Sequence, residues 1–121
     1  MIKSNEIRVG NKIKGTAMGL TITVDLHFFN ECYDDDTMLD WYTGIVLTPD
    51  ILEKCGFEEE YKSEWTIKYT LKIDSRFGYD WNKNFGWRVR FIGECLRNIT
   101  YLHQLQNLVH ALTGEELNVN L

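Results

Sequence analysis

The chain has 121 residues, 44% hydrophobic and 26% charged, and its thirteen basic and eighteen acidic side chains leave a formal net charge of −5. That length suits one domain, residues 1–121, with a core large enough to need no disulfide or metal. The acidic balance argues against generic duplex binding, which rests on neutralising phosphates.

Three cysteines, Cys32, Cys55 and Cys95, include no C-x-x-C pair, so reduced thiols are expected rather than a disulfide framework. The opening Met1-Ile-Lys-Ser-Asn-Glu6 lacks the apolar core of a signal peptide. No run approaches the roughly 18 apolar residues of a membrane span. A cytoplasmic protein without a membrane partner is the expectation.

Taken in order, Ile7 to Ile13 alternates weakly around Gly10-Asn11 and predicts a strand, a tight turn and a second strand. Leu20, Ile22, Val24, Leu26 and Phe28 alternate with polar residues, which predicts one strand with a buried face. Asn30 to Asp40 reads as an acidic loop, and Trp41 to Leu47 as a short strand. Thr48-Pro49-Asp50 predicts the start of a short helix: Thr48 caps it, Pro49 fits its first position, and Asp50 complements its dipole. Ile51, Leu52 and Cys55 form its apolar side, and Gly56 ends it. Glu58-Glu59-Glu60 reads as a charged connection. Trp65, Ile67, Tyr69, Leu71 and Ile73 then alternate inward, followed by Phe77, Tyr79 and Trp81 and by Trp87, Val89 and Phe91. Short polar connections between these runs predict an antiparallel meander with one wet face.

The chain closes on an amphipathic helix. Thr100 or Asn98 can cap it. Tyr101, Leu102, Leu105, Leu108, Val109 and Leu112 recur at three- and four-residue steps, and Gly114 suits a left-handed C-cap. An isolated helix of this length is marginal in water, so it needs a partner surface such as the dry face of the meander. The predicted class is α+β: an antiparallel β-sheet packed by a C-terminal helix, with a short middle helix.

Three segments carry a resemblance. Asn5-Glu-Ile-Arg-Val-Gly-Asn11 is similar to an N-E-L-R-I-G-N opening. Gly44 to Phe57 is similar to a P-I-x-L-T-x-x-x-L-x-x-x-G-F segment. Tyr101-Leu-His-Gln-Leu-Gln-Asn-Leu-Val-His-Ala-Leu-Thr-Gly-Glu-Glu-Leu117 is close to a Y-V-H-Q-L-Q-N-L-Y-F-A-L-T-G-E-E-L ending. Together they resemble an uncharacterised family of small proteins from Bacteroidetes bacteria, their phages and mobile elements. The resemblance implies a shared fold and a mobile-element origin, but no activity. Val109-His110 departs from the Tyr-Phe of the ending.

Motifs that carry chemistry are sparse. His103 and His110 stand seven residues apart, about 10 Å along a helix, too far to chelate one ion unaided; a surface or hydrogen-bonding role is expected for both. Asp34-Asp35-Asp36, with Glu31 and Asp40, has neither the spacing nor the glycine of a calcium loop and reads as solvated. No nucleophile triad, glycine-rich phosphate loop or metalloprotease motif occurs, although a pairing of Cys95 with His103 stays open. No cofactor or metal is expected.

Two surfaces remain as candidates. Lys68, Lys72, Arg88 and Arg90 would share the wet face of the sheet, where cations beside Tyr79 and Phe85 suit a nucleic-acid strand; an ordinary exposed sheet face would look the same. Gln104, Gln106, Asn107 and His110 form an amide-rich helix face suited to contacts within the domain, to an interface with another protein or a second copy, or to nothing specific. The leading expectation is a non-enzymatic interaction or accessory protein. Single-stranded nucleic-acid binding, disfavoured by net charge, comes next, and an enzyme without a recognisable motif third.

Overall fold

A computed structural model describes residues 2, 6–17, 19–34, 36–96 and 98–121, with the backbone alone at 32–34 and 36–38. Two compact units emerge, one of Met1–Val46 with Tyr101–Leu117 and one of Leu47–Thr100 with Asn118–Leu121.

In the first unit β1 (Lys12–Gly15), β2 (Thr21–Thr23) and β3 (Tyr42–Gly44) form an antiparallel sheet in the order β2-β1-β3. Ile13 pairs with Ile22 on one side and Gly44 on the other. The run before Gly10 is not the expected strand. Gly10 takes a positive φ of 97°, and Asn11 N donates to Arg8 O at 3.0 Å, so a turn leads directly into β1.

The single strand expected over Leu20–Phe28 also breaks, at Thr23. Asp25 accepts from Phe28 N at 2.8 Å and thereby caps α1 (Leu26–Asp34). Val24 is buried as the alternation implied, whereas Leu20 and Leu26 are exposed. The expected acidic loop is instead the end of α1 and a 3₁₀ turn over Asp36–Trp41. Asp35 and the side chains of Asp34 and Asp36 lie outside the described residues. Ile2, Ile7, Ile13, Val24 and Leu39 make this unit's core cluster.

In the second unit α2 (Pro49–Lys54) starts as its sequence predicts. Thr48 Oγ1 accepts from Ile51 N at 3.3 Å, and Pro49 occupies the first turn. The sheet is a meander of β4 (Phe57–Lys62), β5 (Thr66–Leu71), β6 (Phe77–Asn82), β7 (Gly86–Phe91) and β8 (Glu94–Cys95), antiparallel throughout. Glu58-Glu59-Glu60 is therefore an edge strand with a bulge, not a connection. Buried Tyr69, Leu71, Phe77, Tyr79 and Val89 bear out the alternation of the inner strands, and Phe57 of β4 is buried with them. Trp65 and Ile73, expected inward, fall beyond the ends of β5 and are exposed. Burial pushes the Tyr79 hydroxyl up to about 12, and it donates to Ile99 O. Burial likewise raises Cys55 to about 12, which keeps its thiol protonated.

The class is α+β: two antiparallel sheets, a short middle helix and the C-terminal α3 (Leu102–Thr113). Tyr101 caps α3 rather than Thr100 or Asn98, its N–H donating to Gln104 Oε1 at 3.1 Å. Gly114 closes it at φ 75°, donating to His110 O at 2.8 Å. Leu102, Leu105 and Val109 are buried as expected, contributing about 1.5–3 kcal/mol each. Leu108 is only half-buried and Leu112 is exposed; His103 and Gln106 are buried in their stead.

Candidate functional site

The basic residues of the second unit do share a face, but it is not an open cationic strip. The register sets Lys68, Asp80 and Arg88 in one row across β5, β6 and β7, and Thr70, Gly78 and Arg90 in the next. The Arg90 side chain lies over Gly78, where a β-carbon would overlap its guanidinium. From there it donates to Asp80 at 2.8 Å and Thr70 at 3.2 Å and approaches Glu60 at 4.0 Å. Glu60 also accepts from Thr70 Oγ1. Lys72 sits 3.7 Å from Glu58. Arg88 lies over the Phe85 ring, 4.6 Å from its centroid. A broad depression of about 640 Å³ on this face is lined by Glu60, Tyr61, Lys68, Arg90 and Gly93, so both signs of charge meet there.

At the end of the same sheet, the β4–β5 and β6–β7 turns bring Trp65 and Lys83 together. Lys83 N donates to Trp65 O at 3.0 Å, and its ammonium stands 4.2 Å from the indole centroid. Phe85 follows in the same turn. Tyr61, Trp65 and Phe85 are 55%, 55% and 60% exposed.

The amide side chains of the α3 face, Gln104, Gln106 and Asn107, make hydrogen bonds within the first unit. Gln106 is fully buried; its oxygen accepts from Lys12 N at 2.8 Å and its nitrogen donates to Gly10 O at 3.1 Å. Asn107 accepts from Asn11 Nδ2 at 2.8 Å and from Arg8 Nε at 3.2 Å, and donates to Glu6 O at 2.8 Å. Arg8 continues the network to Gln106 O and to an ion pair with Glu116. Gln104 and His110 are half-buried. The opening and closing segments that carry the resemblance are thus hydrogen-bonded to each other.

Sequence reasoning placed His103 on the surface or in a hydrogen bond, and the structure has neither. It is 1% exposed, and neither imidazole nitrogen has a partner. It stacks beside Tyr101 at 5.8 Å and presses Cε1 toward Gly44 of β3. Together with Ile2, Glu6, Thr43, Gly44, Tyr101 and Gln104 it lines a cavity of about 190 Å³. A polar group buried without a partner costs about 1–3 kcal/mol, so a histidine here is expensive for the fold alone.

Burial lowers the affinity of His103 for a proton, against an opposing pull from the Glu6 carboxylate. The unfolded chain, with an ordinary value of 6.5, therefore takes up the proton first as pH falls. Stability is expected to be complete above about pH 6.5 and to decline below it. Urea midpoints measured from pH 8 to 5 check this, and His103→Leu should flatten that segment of the profile.

Among the described residues no three His, Cys, Asp or Glu side chains converge to hold a metal ion. No described helix is long and apolar enough to cross a membrane. Cys95 belongs to the second unit and His103 to the first. No protein-family model, curated protein or solved structure matches the chain.

Proposed function

We propose that this is a non-enzymatic interaction protein, a cytoplasmic accessory factor of phage or mobile-element type, which binds a protein partner through the aromatic end of its five-stranded sheet. The observation that carries the reading is the exposed set Tyr61, Trp65 and Phe85, with Lys83 and Arg88 laid over two of the rings. Large rigid aromatics and arginine are the side chains that dominate interface energetics, because they bury much area at little entropic cost. The pairing of Arg90 with Asp80 and Glu60, and of Lys72 with Glu58, supports a protein partner over a nucleic-acid strand. A phosphate backbone would have to compete with those carboxylates.

A photo-cross-linking p-benzoylphenylalanine at position 65 or 85, introduced into the full chain in its cell of origin, tests the reading. A discrete protease-sensitive adduct that is absent with the same group at position 115 is the expected result. A nuclease-sensitive adduct, or no adduct at either aromatic position, would overturn it.

A further inference from the structure

We infer that the partner presents an acidic, extended peptide segment to this sheet, laid along a row from Tyr61 to Arg88 with its carboxylates on Lys68 and Arg88. The inference rests on the interaction reading above and names the chemistry of that partner. The register defines the row: Tyr61 pairs with Lys68, Lys68 with Asp80, and Asp80 with Arg88. Directly paired residues share a face, so these side chains stand side by side across β4, β5, β6 and β7. An exposed aromatic ring closes each end, Tyr61 on the edge strand and Phe85 against the Arg88 guanidinium. The depression of about 640 Å³ opens at the Tyr61–Lys68 end.

Charge chooses the occupant. The carboxylates of this face are engaged: Asp80 with Arg90, Glu60 with Arg90 and Thr70, and Glu58 with Lys72. Lys68 and Arg88 have no carboxylate at salt-bridge distance among the described residues. Arg88 is half-buried, yet it donates to no described acceptor. Its stacking on Phe85 restrains the guanidinium, so an incoming carboxylate meets a donor that is already positioned. Lys68 and Arg88 flank Asp80 at two strand spacings, about 10 Å apart. Carboxylates two or four residues apart on one side of an extended chain span about 7–13 Å, which brackets that separation. Large apolar side chains of the same segment would pack on Tyr61 and Phe85. A nucleic-acid strand fits less well. It carries a phosphate on every unit and would meet Asp80 and Glu60, whereas a peptide can leave those positions neutral.

The probe is p-benzoylphenylalanine at position 61 of the full chain, cross-linked in a cleared lysate of its cell of origin, with the linked peptide sequenced by mass spectrometry. A linked segment carrying two or more Asp or Glu side chains at alternate positions is expected. Lys68→Gln combined with Arg88→Gln should cut the protein adduct at least tenfold, and raising the salt from about 0.1 M to about 0.6 M should cut it comparably. Arg88→Lys, which keeps the charge, should retain most of the adduct. Lys14→Gln combined with Lys54→Gln, which changes the net charge equally, should leave it intact. Should Arg88→Gln fail to fold, the sequence of the linked segment and the salt response decide. The inference is overturned if that segment is neutral or basic, if the adduct is nuclease-sensitive, or if the folded double variant cross-links like the parent chain. A protein adduct from position 65 or 85 with none from position 61 would overturn it while the interaction reading stands.

Discussion

Gln106→Leu is expected to lower the free energy of unfolding by about 2–5 kcal/mol, although it replaces a polar residue on a helix with an apolar one of similar size. The amide is fully buried and bonded to two backbone groups, accepting from Lys12 N and donating to Gly10 O. A leucine in its place would leave that N–H and that carbonyl without the amide partner, each at about 1–3 kcal/mol. The same two contacts hold the turn at Gly10 against α3, so the loss falls where β1 begins.

Gln106→Glu separates this account from simple packing. The carboxylate keeps the acceptor for Lys12 but has no donor for Gly10, and it carries a charge into a dry site. Its folded-state proton affinity would be raised above that of an unfolded glutamic acid. Its share of stability would therefore be present at low pH and lost as pH rises through the raised value. Equilibrium urea unfolding at pH 5 and pH 8 should find Gln106→Glu less penalised at pH 5, relative to the parent chain, than at pH 8. Equal penalties would sink the hydrogen-bond explanation.

The fold was legible wherever one local rule decided the outcome. Thr48-Pro49 and Gly114 are capping positions whose chemistry acts within a single turn, and both behave as read. The alternation of β5 to β7 is equally local, and Tyr69, Leu71, Phe77, Tyr79 and Val89, read as inward, are buried. Elsewhere two rules competed. Leu20 to Phe28 satisfies a period of two, but Asp25 accepting from Phe28 N starts a helix in its second half. Glu58-Glu59-Glu60 shows no apolar alternation because β4 is an edge strand, where acidic side chains and a bulge discourage pairing with another chain.

The candidate site was legible only in outline. The amides of α3 stood out, but their partners Lys12 and Gly10 lie more than ninety residues away in sequence. Amphipathic reading assigns polar residues outward, so it could not bury Gln106 and His103 beside Leu102 and Leu105. Ion pairing between neighbouring strands hid the same way. Arg90 looked free until the register set Gly78 beneath its side chain and Asp80 beside its guanidinium.

Gly44→Ala is expected to be the most damaging single methyl group that can be added to the first sheet, lowering stability by about 3 kcal/mol. The new carbon would stand 2.6 Å from Tyr101 Cγ and Cδ1 and 2.9 Å from His103 Cε1. Tyr101 Cγ is the root of the ring, so rotating the side chain's far end gives no relief. The backbone cannot easily yield either, because Leu102 N donates to Ile45 O at 2.8 Å and Val46 bridges to Tyr101. Gly15 of β1 is the internal control: a β-carbon there meets nothing closer than Leu20 O at 3.8 Å. Gly15→Ala should thus be neutral or stabilising by up to about 1 kcal/mol, through the unfolded chain. Combining Gly44→Ala with Tyr101→Ala should cost less than the sum of the two, since the second change removes the ring that the first strikes. Strict additivity in thermal or urea unfolding would place the strain elsewhere.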